Sequence, residues 1–114
     1  MTIHDIVSQL EAKVICGEGL LEKNIEYAFA SDLLSDVLTL DSSNLIMITG
    51  LANMQTIRTA EMLDITNILL VRNKKTTADM KKAACENNMV LIEYSGSMFR
   101  ACGILYNAGL KPVY

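Results

Sequence analysis

Four clusters of polar residues in this chain have types and spacing that bear on chemistry. They are Ser31-Asp32, Thr49-Gly50 with Asn53 and Gln55, Arg72-Asn73-Lys74-Lys75, and Ser95-Gly96-Ser97. Each follows a short apolar run and precedes a stretch of helical spacing. In an open α/β sheet the strand C-termini share one edge, so the junctions that follow them converge there. Helix N-termini at such an edge present free N–H groups and a partial positive charge. Arg72 and Lys74 add full positive charges, which makes the edge suited to a phosphate or carboxylate. The same Ser, Asn, Asp and Gly residues also serve as ordinary helix caps and turn formers. Within 53–63, the spacing sets Gln55, Arg58, Thr59 and Met62 on one stripe, with Met54, Ile57 and Leu63 nearer the opposite side. That polar stripe meets a ligand, a partner or solvent.

Several reaction types are set aside. The chain has no GxxxxGK[ST] run, no GxGxxG and no GxSxG. Its single histidine, His4, stands in a terminal helix, so any Ser/His or Cys/His pair would depend on that one residue. Cys16, Cys85 and Cys102 show no CxxC spacing and no Cys/His cluster, which argues against structural zinc and dithiol chemistry. Three buried free thiols in a reducing compartment is the expectation. Asp32 and Asp36 lie four apart on a helix, but capping by Asp32 is the simpler account. No enzymatic activity and no cofactor are expected.

The elements that position these residues follow a rhythm. Leu45–Ile48 reads as a strand followed by helix 53–63, Ile68–Val71 as a strand followed by helix 77–87, and Met89–Glu93 as a strand followed by helix 97–108. Short continuous apolar runs suit parallel strands covered on both faces. Thr2 caps a first helix over Ile3, Ile6, Val7 and Leu10, and Ser31-Asp32 opens another over Leu33, Leu34, Val37 and Leu38. The early strands 12–16 and 25–30 are expected to pair irregularly or antiparallel. Gly109 stands where a helix C-terminus takes a left-handed residue, and Pro112 blocks continuation. The fold expected is α/β, a three-layer helix–sheet–helix arrangement around a mostly parallel, mixed sheet of about five strands.

The chain's 114 residues fit one domain, with 51 % hydrophobic and 20 % charged residues. So apolar a composition favours a fully covered sheet, self-association, or both. Gly103, at the centre of helix 97–108, points to close approach of another backbone, either the sheet of the same chain or a second subunit. A homo-oligomer, a dimer foremost, is expected. The net charge of −3 argues against nonspecific nucleic-acid binding. No run is long enough to span a membrane and the N-terminus lacks signal-peptide character, so a cytoplasmic protein is expected.

Four strings carry a family resemblance: residues 31–38 (SDLLSDVL), 48–51 (ITGL), 58–65 (RTAEMLDI) and 98–106 (MFRACGILY). Over nearly the whole chain they resemble the small stand-alone DRTGG-domain proteins of anaerobic bacteria. Those domains are similar in fold to the N-terminal domains of HPr kinase/phosphorylase and of muramyl ligases. The resemblance implies a regulatory or small-molecule-sensing module. Because some relatives lie near iron-hydrogenase and electron-transfer genes, it also implies an assembly subunit of a redox system as the alternative. The signature residues themselves are absent: Leu51-Ala52 and Arg72-Asn73-Lys74 stand where the name-giving motif would fall. Ligand contacts made by that motif therefore do not carry over. A kinase activity does not either, because the kinases keep their P-loop in a separate domain.

Overall fold

A computed structural model describes residues 1–31 and 44–113 of the chain. The elements in order are α1 (Ile3–Leu10), β1 (Lys13–Cys16), a 3-10 turn (Glu18–Leu20), β2 (Tyr27–Ala30), β3 (Leu45–Thr49), α2 (Met54–Met62), β4 (Asn67–Leu70), α3 (Ala78–Glu86), β5 (Val90–Glu93), α4 (Met98–Asn107) and β6 (Lys111–Pro112). The expected helix from Ser31-Asp32, and with it Asp32 and Asp36, lies outside the described residues.

The described strands form one mixed sheet ordered β1-β5-β4-β3-β2-β6. Pairing is parallel everywhere except β1 against β5, which is antiparallel with an irregularity between Val14 and Cys16. The expectation of an irregular or antiparallel early strand holds for β1. It fails for β2, which lies parallel to β3 in unbroken register from Tyr27↔Leu45 to Ala30↔Ile48. The sheet also gains a sixth strand, β6, whose two residues pair with Tyr27 and Ala28. A two-residue strand carrying a proline leaves no periodic apolar run to read, and an edge is where a strand tolerates proline.

Residues on β3, β4 and β5 alternate between two cores. Leu45, Met47, Ile68, Leu70 and Leu91 face Ile57 and Ala60 of α2 and Met80 and Ala84 of α3. Ile46, Ile48, Leu69, Val90 and Ile92 face Ile3, Ile6 and Leu10 of α1 and Ala101 and Leu105 of α4. The layer assignment follows from crossover handedness. The chain steps one way across the sheet from β3 to β5, so α2 and α3 share a face. It then returns across the sheet to β6, which puts α4 on the other. Thr2 forms a full capping box with Asp5, as its position at the start of α1 implied. Gly109 ends α4 at φ +112°.

Two sequence expectations are corrected. Cys16 and Cys85 are joined in a disulfide, with Cα atoms 5.7 Å apart, so Cys102 alone is a free thiol. Sixty-nine positions separate the pair, and only the β1–β5 pairing, which brings the N-terminal strand under α3, makes them neighbours. Gly103 is exposed, and a Cβ built on it would meet nothing within 4 Å, so it is not a point of backbone contact within the chain. The face of α4 on which it lies also carries Phe99 (90 % exposed) and Tyr106 (68 %).

Candidate functional site

The junctions after β2, β3, β4 and β5 meet at one edge, tied by main-chain bonds. Ser31 N–H donates to Ile48 O (3.0 Å), Val71 N–H to Thr49 O (3.0 Å) and Tyr94 N–H to Leu70 O (2.8 Å). The segment after β4 turns sharply, with Arg72 and Asn73 both left-handed at φ +66° and +57° and Lys74 N–H donating to Val71 O (3.4 Å). Two successive positive φ values inside a hydrogen-bonded turn are the signature of type I′. Such a turn strains Arg72 far more than glycine. It is held by the neighbouring junction: Arg72 N–H donates to Gly96 O (2.7 Å) and Asn73 N–H to Tyr94 O (3.1 Å). The 72–74 turn and the 94–97 turn are therefore one structural unit.

Not every predicted site residue joins that unit. Thr49 and Gly50 are buried, and Thr49 Oγ1 accepts from Leu51 N–H (3.2 Å), which shapes the loop into α2. Asn53 is the N-cap of α2, its Oδ1 accepting from Thr56 N–H (3.3 Å). Ser97 caps α4 in the same way, its Oγ accepting from Arg100 N–H (3.0 Å). Each such cap is worth about 1 kcal/mol. The polar stripe on α2 is incomplete: Gln55, Arg58 and Met62 are exposed, but Thr59 is 8 % exposed and accepts from Gln55 Nε2 (3.3 Å). Thr59 falls beside the buried Ala60, and α2 packs on α3 as well as on the sheet, which widens its covered face. Arg58 stands about one helical turn from the edge. Arg72, Lys74 and Ser95 are exposed at the edge and Ser31 is half-buried there.

Other edge residues escaped the sequence reading. Thr76 N–H donates to Glu93 Oε2 (2.8 Å), and Lys75 Nζ lies 3.8 Å from Glu93 Oε1. Beside the 94–97 turn a cleft of about 340 Å³ is lined by Gln9, Leu10, Glu11, Tyr94, Ser95, Gly96, Arg100 and Ile104. Of the four polar clusters named from the sequence, Ser95 and Gly96 are the described members that border it. Arg100, in the first turn of α4 and three residues after its cap, was the available clue; the contribution of α1 was not readable locally. Gly96 is packed so closely that a Cβ would fall 2.5 Å from the Tyr94 hydroxyl. A second, apolar cleft of about 270 Å³ lies between α4 and β2, where Ala28 and Ala30 leave space below Cys102, Leu105 and Tyr106.

Among the described residues no group of three or more His, Cys, Asp or Glu is placed to hold a metal ion, and no helix is long and apolar enough to cross a membrane.

The arrangement of strands and helices is similar to that in the crystal structure of the CBS and DRTGG domains of the regulatory region of Clostridium perfringens pyrophosphatase, complexed with its activator diadenosine tetraphosphate. The TM-score is 0.72 over 91 % of this chain, at 14 % sequence identity. The fold is DRTGG-like. The match covers 45 % of the neighbour's chain, so this chain spans less than half of its length. At that identity the likeness establishes the DRTGG-like fold alone. No protein-family model and no curated protein matches the sequence.

Proposed function

We propose that this chain is a non-catalytic, cytoplasmic regulatory domain that senses a small anionic molecule at the C-terminal edge of its sheet. The observation that carries the reading is the shared unit at residues 72–74 and 94–97. One turn presents Arg72 and Lys74, and the other lines a cleft with Ser95 and Arg100 beside the N-terminus of α4. The two bonded turns fix the backbone that carries Arg72 and Lys74, so no loop need be ordered on binding, which lowers the entropic cost of capturing an anion. The neighbour's regulatory region binds a nucleotide activator, which supports a phosphate-bearing ligand here. The finer kinship with the N-terminal domains of HPr kinase/phosphorylase and muramyl ligases rests on the sequence strings alone.

Thermal-shift titrations with inorganic pyrophosphate and with adenine nucleotides test this. A saturable rise is expected, about 2.7 kcal/mol of added stability at a hundredfold excess over Kd. Arg100→Ala and Lys74→Ala should abolish it, and Arg58→Ala should leave it intact. A flat response to every anion would overturn the proposal.

We propose further that the domain is a homodimer, which the exposed stripe of Phe99, Gly103 and Tyr106 supports. Residues four and three apart share one helix face, and here that face is apolar with an open centre. The same stripe suits an assembly subunit of a redox system, in which another protein takes the partner's place.

A further inference from the structure

We propose that the Cys16–Cys85 pair is a reversible redox latch that fastens α3 to the edge strand β1. The two cysteines sit in unlike settings. Cys16 is fully buried at the irregular end of β1, whereas Cys85 is exposed near the C-terminus of α3. Cys16 does not depend on the bond for its place in the core. Cys16 packs among Ile68, Leu70, Met80 and Leu91 as a small apolar side chain would. β1 retains its ladder to β5 from Lys13↔Glu93 to Cys16↔Leu91. The dithiol form therefore fits the same fold.

α3 is the element that the bond would release. It buries only Met80 and Ala84 completely, fewer residues than α2, and its last turn is otherwise tied by Asn87 Nδ2, which donates to Glu61 Oε1 (2.7 Å) on α2. Cys85, as the exposed partner, is where reduction starts. A thiolate of a small-molecule dithiol attacks Cys85 Sγ, and the S–S electron pair leaves on Cys16 Sγ, which takes up a proton. The reagent's second thiolate then attacks its own sulfur in the mixed disulfide, releases Cys85 as a thiolate and closes a cyclic disulfide. Oxidation is the reverse exchange with a small-molecule disulfide. Cys102 lies on α4 in the other layer, where it is half-buried, and burial pushes its thiol up, so it competes poorly.

The test equilibrates the full chain in dithiothreitol buffers of graded redox poise without denaturant. Samples are acid-quenched, unfolded, alkylated with N-ethylmaleimide and weighed. The oxidised form should carry one adduct and the reduced form three, interconverting in both directions. Amide exchange in α3 should speed up at least tenfold on reduction while β3 and β4 stay protected. The midpoint of melting should fall by roughly 15 °C, as loss of so long a closed loop implies. Cys85→Ser should carry two adducts and show the reduced form's fast α3 exchange in every buffer. A bond that yields only in denaturant, a pair that never oxidises, or α3 exchange that ignores the redox state would each overturn the proposal. None of these readouts involves a ligand.

Discussion

Gly17→Ala is expected to destabilise the protein by about 3 kcal/mol, read from the shift of its urea midpoint. Gly17 follows β1 at φ +92°, where a side chain costs about 1–2 kcal/mol in backbone strain alone. An alanine Cβ would also sit 2.9 Å from Val90 Cα and Cγ2 and 3.1 Å from Met89 O. Val90 cannot give way, because it belongs to β5, which is bonded to β4 on one side and faces β1 on the other. The loss falls on a total stability of about 5–15 kcal/mol for a domain of this kind. Gly19→Ala, two residues away, is the control. Nothing lies within 4 Å of its Cβ position, so its midpoint should stay within about 0.5 kcal/mol of the parent. Equal midpoints for the two variants would refute the turn geometry.

Asn67→Leu should cost about 2–3 kcal/mol, because Asn67 joins two polar groups that have little access to water. It is 0 % exposed, its Nδ2 donates to Leu45 O (3.0 Å) and its Oδ1 accepts from Lys23 Nζ (3.0 Å). Lys23 Nζ donates also to Thr66 Oγ1 (3.0 Å), and together these bonds fasten the loop after the 3-10 turn to the start of β4. Burial holds the Lys23 ammonium below the usual lysine range. The folded chain thus releases that proton at lower pH than the unfolded chain. Stability contributed by this group rises with pH between its folded value and about 10.5. The leucine variant removes an acceptor from the ammonium, so its alkaline stabilisation should be steeper. Lys23→Met added to Asn67→Leu should recover part of the loss, since the half-buried ammonium that has lost one of its two acceptors goes too. Denaturation midpoints at pH 8 and pH 10 for Asn67→Leu, Lys23→Met and the double variant measure both effects, and additive losses would contradict the coupling.

How far the sequence revealed the molecule depended on the range of the forces involved. β3, β4 and β5 appear as continuous apolar runs because parallel strands covered on both faces need them, and α2, α3 and α4 start at the side-chain caps Asn53, Thr77 and Ser97. These are local signals. The features that were missed are products of distant pairing. β2 carries no mark of its parallel partner, β6 is too short for a pattern, and the Cys16–Cys85 bond exists only because β1 adds to the far side of β5. Gly103 misled for a related reason: its spacing reveals a small residue on a helix but not which side of that helix the sheet occupies. At the candidate site, charge was readable at Arg72 and Lys74. The cleft was not, because Gln9 and Glu11 reach it from a helix at the other end of the chain.

The sheet's order also sets a timetable for a chain emerging from the ribosome. β3, β4 and β5 join through short helical crossovers and can assemble as they appear. Both outer strands pair across about eighty residues, β1 with β5 and β2 with β6, the kind of non-local closure that slows folding. At about 5–20 residues per second, Lys13–Cys16 waits several seconds for its partner to be synthesised. β1 is thus placed long after it is made, and during that interval its unpaired edge is what a chaperone or a neighbouring nascent chain would meet.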